Sequence, residues 1–307
     1  PMNATFDEWK TYIQDRRAKN FSVIQIFCAC RWAAEQNIRG IAPFLEKDIS
    51  RLNPDYWQDY ENLVQYANEQ GMVIAIVGLM EPLERYPNAE DARVFARNLV
   101  SRLMGNFVIF SPSFDSSYTE LGDVVGEEIR KTTPIHLITQ HPGTHLPTMQ
   151  QYYDKNYLSF CGLQSGAGWG TQPISADKAA ENAIEWSLGL YNRIPPKPII
   201  NMESRYDSTF NQEQLARLPR SCGYSTLLVG AKGYTYGCSG VWFWGKPAFV
   251  GEDPQSDPTW NLQTGMQKPS STHMKYMAEI FGSLAWWKLE PAQGRSEEHT
   301  SELQSRF

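Results

Sequence analysis

Two acids stand where chemistry could be done. Asp115 closes Ser111-Pro112-Ser113-Phe114-Asp115, and Glu203 closes Ile199-Ile200-Asn201-Met202-Glu203. Each follows an apolar run short enough to be a buried strand. In an α/β barrel, the carboxyl ends of the strands are where catalytic groups gather. The two acids lie 88 positions apart. At roughly 30 residues per strand–helix unit that is three units, which sets the acids facing each other across a barrel mouth. Glycoside hydrolysis asks for such a pair: one acid protonates the leaving oxygen, and one carboxylate attacks or stabilises the anomeric carbon. For Glu203 the plainer alternative is a solvated loop carboxylate paired with Arg205.

The chemistry sets the environments. Asp115 has to carry a proton at working pH, and burial beside Phe110 and Phe114 would raise its pKa. Glu203 has to stay ionised, and Arg205 or the Tyr206 hydroxyl could hold it so. A carboxyl separation of about 5–5.5 Å gives retention of configuration and about 6.5–9.5 Å gives inversion. Spacing in the sequence does not choose between them. The other strand ends offer Cys28, Cys30, Arg31, Trp32, Glu81, His141 and Gln164. Trp169, Tyr206, Tyr234, Tyr236, Trp242 and Trp244 fall on or after strand ends and suit stacking on a sugar ring, although ordinary barrel packing accounts for at least half of them.

The elements that must position these groups alternate. Helices are expected over 6–19, 54–68, 90–104, 121–131, near 150, 176–191, 212–230 and 271–287. Strands are expected over 21–27, 72–77, 106–110, 135–141, 158–164, 198–203 and 233–244. Long loops fill 28–53 and 245–269. Strand and helix in turn argue α/β with a parallel sheet. Seven strands with one helix in front make a (β/α)8 TIM barrel lacking its first strand, which would lie before residue 1. An open, doubly wound sheet would want a phosphate-binding fingerprint. The glycines from Gly162 to Gly170 lead into Pro173 rather than a helix, so the nucleotide signal is weak.

Composition narrows the partners. At 307 residues and 41% hydrophobic the chain can bury a large core. A net charge of −6 without a basic block argues against nucleic acid and anionic membrane, and no apolar run approaches the ~20 residues of a membrane span. The five Cys are odd in number and mostly in apolar runs, so core thiols are expected rather than a disulfide framework. Residues 1–293 read as one barrel domain. The tail from Arg295 to Ser305 resembles a translated sequencing-adapter read, and 294–307 are excluded from fold reasoning as non-native. The termini set no compartment, and nothing sets an oligomeric state.

In order and spacing the chain resembles the apiosidase-like glycoside hydrolases. The landmarks are Asp15 to Gln25, Asn106 to Asp115, His136 to Gly143, Leu163-Gln164-Ser165-Gly166, Lys197 to Asp207, and Gly233 to Gly237 with Val241-Trp242. The resemblance implies a (β/α)8 domain, Asp115 as general acid/base, Glu203 as nucleophile, and His141, Gln164, Arg205 and Tyr206 in the substrate pocket. The chain departs from the family pattern at Ser113-Phe114, where two Gly are usual before the acid, and at Met202 and Ser204, where Gly and Pro usually flank the nucleophile. Ala167 replaces a usual His. These changes bear on the substrate, and they carry the alternative of a carbohydrate-binding barrel without turnover. No cofactor is implied. A metal hydrolase is the other rival, because His141 and His145 have i, i+4 spacing, but Pro142 and Gly143 forbid the helix that would align their rings. Ser165 lacks the Gly two residues before it that a nucleophile elbow needs.

Overall fold

In a computed structural model the described residues are 2–29, 36–79, 88–116, 118–143, 146–166, 176–206, 216–242, 244 and 262–291. The loop residues Cys30, Arg31, Trp32 and Glu81, and also His145, Trp169 and the tail, lie outside them. Thr5 opens the first helix, α1 (Phe6–Ala18), with a reciprocal cap. Its hydroxyl accepts from the Glu8 N–H at 3.2 Å, and its own N–H donates to the Glu8 carboxylate at 2.7 Å. Next come β1 (Val23–Phe27), α2 (Pro54–Glu69), β2 (Val73–Val77), α3 (Ala89–Leu103) and β3 (Val108–Phe110). Pro54 suits the first turn of α2, where its missing N–H goes unneeded. The chain continues through α4 (Glu120–Thr132), β4 (Leu137–Ile138), α5 (Leu146–Tyr152), β5 (Cys161–Gln164), α6 (Ala176–Tyr191), β6 (Ile199–Glu203) and α7 (Arg217–Leu228). It ends with β7 (Gly233–Tyr234) and the helices α8 (Ser239–Trp242), α9 (Leu262–Met266) and α10 (Pro269–Gly282).

Every strand pairing is parallel, in two sheets ordered β1-β2-β3-β4 and β5-β6-β7. The sheets meet at β4 and β5, where the Ser159 N–H donates to Ile138 O at 2.7 Å and the Thr139 hydroxyl donates to Phe160 O at 2.9 Å. Their faces also share one apolar cluster: Val77, Phe160 and Met202, with Phe27, Ile109, Phe114 and Ile200 packed on it. The last part of the chain returns to the first helix. Trp244 stacks near Trp9 and donates to Glu8, while the Lys19 ammonium donates to Met266 O. Among the described residues no strand joins β7 to β1, so the ring of strands is not closed there.

Two strands are shorter than expected. The run 135–141 pairs only at Leu137–Ile138, because the Ser159 hydroxyl takes the Ile138 N–H and the Thr139 hydroxyl turns to Phe160, so side chains replace ladder bonds. The run 233–244 is strand only at Gly233–Tyr234. It then turns into α8 through Val241 N–H to Cys238 O and Trp244 N–H to Val241 O, both 3.0 Å. Its Gly237-Cys238-Ser239-Gly240 stretch has too little side chain to hold a pleated surface. Within the expected loop 245–269, the described part is α9 and the start of α10.

Candidate active site

Asp115 is fixed by what stands on either side of it. Past β3, the Ser111 N–H still donates to Ile76 O at 2.8 Å, and the Ser111 hydroxyl donates to Ser113 O at 2.8 Å. Ser113 is fully buried. Its hydroxyl accepts from the His141 N–H at 3.0 Å and donates to His141 O at 3.3 Å, while its own N–H donates to Gln140 Oε1 at 3.2 Å. One residue past the acid, Ser116 bridges to Pro142, and the Gly143 N–H donates to Ser116 O at 3.1 Å. Asp115 is thus held between two ties to the exit of β4. Its backbone sits at φ 51°, a left-handed conformation that Asp tolerates better than most residues.

Glu203 ends β6 and is buried, only 4% exposed. Its carbonyl accepts from the Ser165 N–H at 2.8 Å. Two residues earlier the fully buried Asn201 amide lies 2.8 Å from the Ser165 hydroxyl and 3.0 Å from that of Thr226, which pins the strand against its neighbours. The β5–β6 register shifts at Leu163/Gln164, and this sets Gln164 opposite Glu203. The Tyr206 hydroxyl donates to Glu203 Oε1. That ring lies where Gly237 leaves room, since a Cβ there would meet Tyr206 Cε1 at 2.1 Å. Among the described residues Glu203 Oε2 has no hydrogen-bond partner by geometry, nor has either ring nitrogen of the fully buried His141, nor Gln164 Oε1. One carboxylate oxygen of Asp115, one of Glu203 and one nitrogen of His141 lie within 4.8 Å of one another.

Burial is the first cause of a Glu203 pKa raised well above its ordinary value, and the charge of Asp115 adds to it; the Tyr206 hydrogen bond acts the other way. The expectation of an easily ionised Glu203 is therefore corrected by the low dielectric and by a like charge beside it. Burial lowers the His141 pKa to about 4. The 3.5 Å approach of its Nε2 to Glu203 Oε2 is thus that of a neutral ring at neutral pH, not an ion pair. Arg205 forms no ion pair with Glu203. Among the described residues its buried Nε has no partner, and burial lowers its pKa. Tyr206 alone of the two expected holders touches the acid.

The structure brings Asp115, His141, Gln164, Glu203 and Tyr206 together. Tyr234 instead shares a 2.7 Å hydrogen bond with the Ser204 hydroxyl behind the strand end. The Trp242 side chain, like all of Trp169, falls outside the described residues. Phe114 packs over the site, with its ring centroid 4.1 Å from that of Phe27 and 4.5 Å from that of His141. Met202 reaches into the interior because Gly162 has no side chain; a Cβ there would meet Met202 Sδ at 2.7 Å. Sequence reasoning missed Ser113 and Gly237. The glycine closing Gly233-Tyr-Thr-Tyr-Gly237 was the only signal for the second.

The profile of the apiosidase-like catalytic domain matches residues 1–288. The chain belongs to this family. By that membership the apiosidase-like domain is a glycoside hydrolase. No curated protein matches it. Among solved structures it is similar to a glycoside hydrolase with TM-score 0.76 and 20% identity, covering 92% of this chain and 68% of that one. A glycoside hydrolase family 5 protein from Bacteroides vulgatus ATCC 8482 gives TM-score 0.78 and 20% identity, covering 92% and 66%. A GH5_18 from Streptomyces cattleya, solved in complex with GlcNAc, gives TM-score 0.65 and 14% identity, covering 94% and 77%. The chain spans about two thirds of the length of the first two. At these identities the likeness is one of fold. Among the described residues no helix is long and apolar enough to cross a membrane.

Proposed function

We propose that this apiosidase-like domain cleaves a glycosidic bond in plant-type or other complex polysaccharide side chains, with Asp115 as general acid/base and Glu203 as nucleophile. The observation that carries the reading is the approach of the two carboxylates to within 4.8 Å at strand ends three strand–helix units apart. That separation favours retention, since an inverting pair needs about 6.5–9.5 Å to admit a water. In this reading the strands are seven of a (β/α)8 barrel whose first strand is not among these residues. Asp115, the more exposed of the pair, protonates the leaving oxygen, and Glu203 attacks the anomeric carbon. Water then releases the glycosyl-enzyme with Asp115 as base. Tyr206 stabilises the ionised Glu203, and the open polar atoms of His141 and Gln164 are available to sugar hydroxyls.

A panel of aryl glycosides tests this, with the first-formed anomer read by NMR. Glu203→Gln is expected to abolish turnover with its circular dichroism unchanged; turnover that survives sinks the assignment. A second reading, a sugar-binding barrel without turnover, is favoured by Phe114 lying across His141 and Phe27. Binding of sugars without release of any product would select it.

A further inference from the structure

Among the described residues, one group of candidate metal ligands is close enough to share an ion. It consists of Asp115, His141 and Glu203, with one donor atom from each within 4.8 Å of the others. Two acids alone would say little, because acids crowd many empty surfaces. His141 is the independent observation. It is fully buried, and among the described residues its Nε2 makes no hydrogen bond and lies 3.5 Å from a Glu203 Oε2 that also makes none. A buried ring nitrogen normally has a hydrogen-bond partner. Ligand atoms at ~2.0–2.2 Å from a tetrahedral zinc ion stand about 3.4 Å apart, so the His141–Glu203 edge already has that spacing. Tyr206 occupies only Oε1 of Glu203, which leaves Oε2.

We propose that Asp115, His141 and Glu203 bind a borderline divalent metal ion of the zinc type, and that the ion switches the site off by occupying both carboxylates. The inhibitory half rests on the hydrolase reading above; the binding half does not. One imidazole and two carboxylates in a dry site suit zinc. Magnesium and calcium want oxygen donors, and magnesium also keeps several waters.

The test is calorimetric titration of the full chain with zinc chloride after dialysis against EDTA, with magnesium chloride as the comparison. The expected result is one zinc per chain, no measurable magnesium, and an affinity at least about 30-fold weaker in both His141→Gln and Glu203→Gln. His299→Gln, in the tail, leaves the affinity unchanged. Circular dichroism checks that the variants fold, and Glu203→Gln, equal in shape and volume, stands if His141→Gln does not. No saturable binding up to millimolar zinc, or binding lost in His299→Gln and kept in the folded site variants, overturns the proposal. In the activity arm, zinc should inhibit and EDTA restore full turnover. Turnover that needs zinc keeps the site but overturns its inhibitory role. Absence of turnover with and without EDTA sinks the hydrolase reading alone, because the calorimetry still decides the binding.

Discussion

Two buried carboxylates in this chain are treated in opposite ways. Asp123, inside α4, accepts from the Tyr157 hydroxyl at 2.7 Å on one oxygen, and from the Tyr118 hydroxyl and the Lys155 ammonium on the other. Both oxygens are satisfied and a counter-charge is in place. Glu203 is at least as buried, yet among the described residues it has one hydroxyl on Oε1, no hydrogen bond on Oε2, and a second acid within reach. A buried polar atom without a partner costs about 1–3 kcal/mol. Among the described residues three such groups, on Glu203, His141 and Gln164, gather in one place. Asp123 spends its bonding capacity on holding α4 and the segment after α5 together. Glu203 keeps that capacity open, which costs stability and leaves something for a ligand to bind.

The contrast can be broken outright with isosteric amides. Glu203→Gln should lower kcat/KM by at least about 10⁴-fold if the residue is a nucleophile, while Asp123→Asn leaves kcat/KM within a few-fold; rates on one aryl glycoside decide it. Comparable losses in both would erase the distinction. Gly237→Ala comes next. By displacing the Tyr206 ring it should lower kcat roughly 10–100-fold with little change in KM, and Tyr206→Phe should do the same. The double variant should be no worse than either single one, since both act through one hydroxyl. Additive losses would show a separate role for Gly237.

Thermal unfolding sharpens the comparison from the other side. Asp123→Asn should lower stability by about 2 kcal/mol, or roughly 3 °C in Tm for a domain of this size. Glu203→Gln should raise Tm by roughly 2–4 °C at pH values above the folded pKa of Glu203, where it removes a buried charge. The sign follows from the raised Glu203 pKa. A carboxyl whose folded pKa exceeds its unfolded value of ~4.3 contributes fully below that value. Its contribution is lost as pH rises through the folded pKa, so the Tm gap between Glu203→Gln and the parent should open over that window. The smallest effect is kinetic. The acid limb of kcat/KM should lie above the ordinary Glu range, and Tyr206→Phe should move it higher still, because the lost hydrogen bond favours the ionised form. A limb that stays put or moves down would separate Tyr206 from the ionisation of Glu203.

The sequence was most legible where local pattern decides. The apolar runs ending at Phe110 and Glu203 became β3 and β6, and α6 spans the expected residues 176–191. The acids were found for the same reason, since a carboxylate at the end of a buried run needs only the run to be recognised. What stayed hidden depends on distant partners. Gly237 matters because of a ring 31 positions earlier. The unpartnered nitrogens of His141 are a property of what surrounds them, which no spacing in the chain encodes. Arg205 misled for a related reason: nearness to Glu203 in the chain implied pairing, and the strand end turned its guanidinium elsewhere. The run 233–244 stops as a strand after Tyr234 because Gly237-Cys238-Ser239-Gly240 offers too little side chain for a pleated surface.

The left-handed backbone at Asp115 has a consequence for how such a site can be lost. Only glycine, asparagine and aspartate take up φ near +50° at small cost. Both alternatives to aspartate are one nucleotide change away, and both lack the acid. The residues this position accepts most readily are therefore those that remove the carboxylate while leaving the domain folded. A glutamate swap would keep the acid but strain the backbone. If Asp115 is the acid proposed above, a single codon change at this strand end would be enough to remove it, and a single change back would restore it.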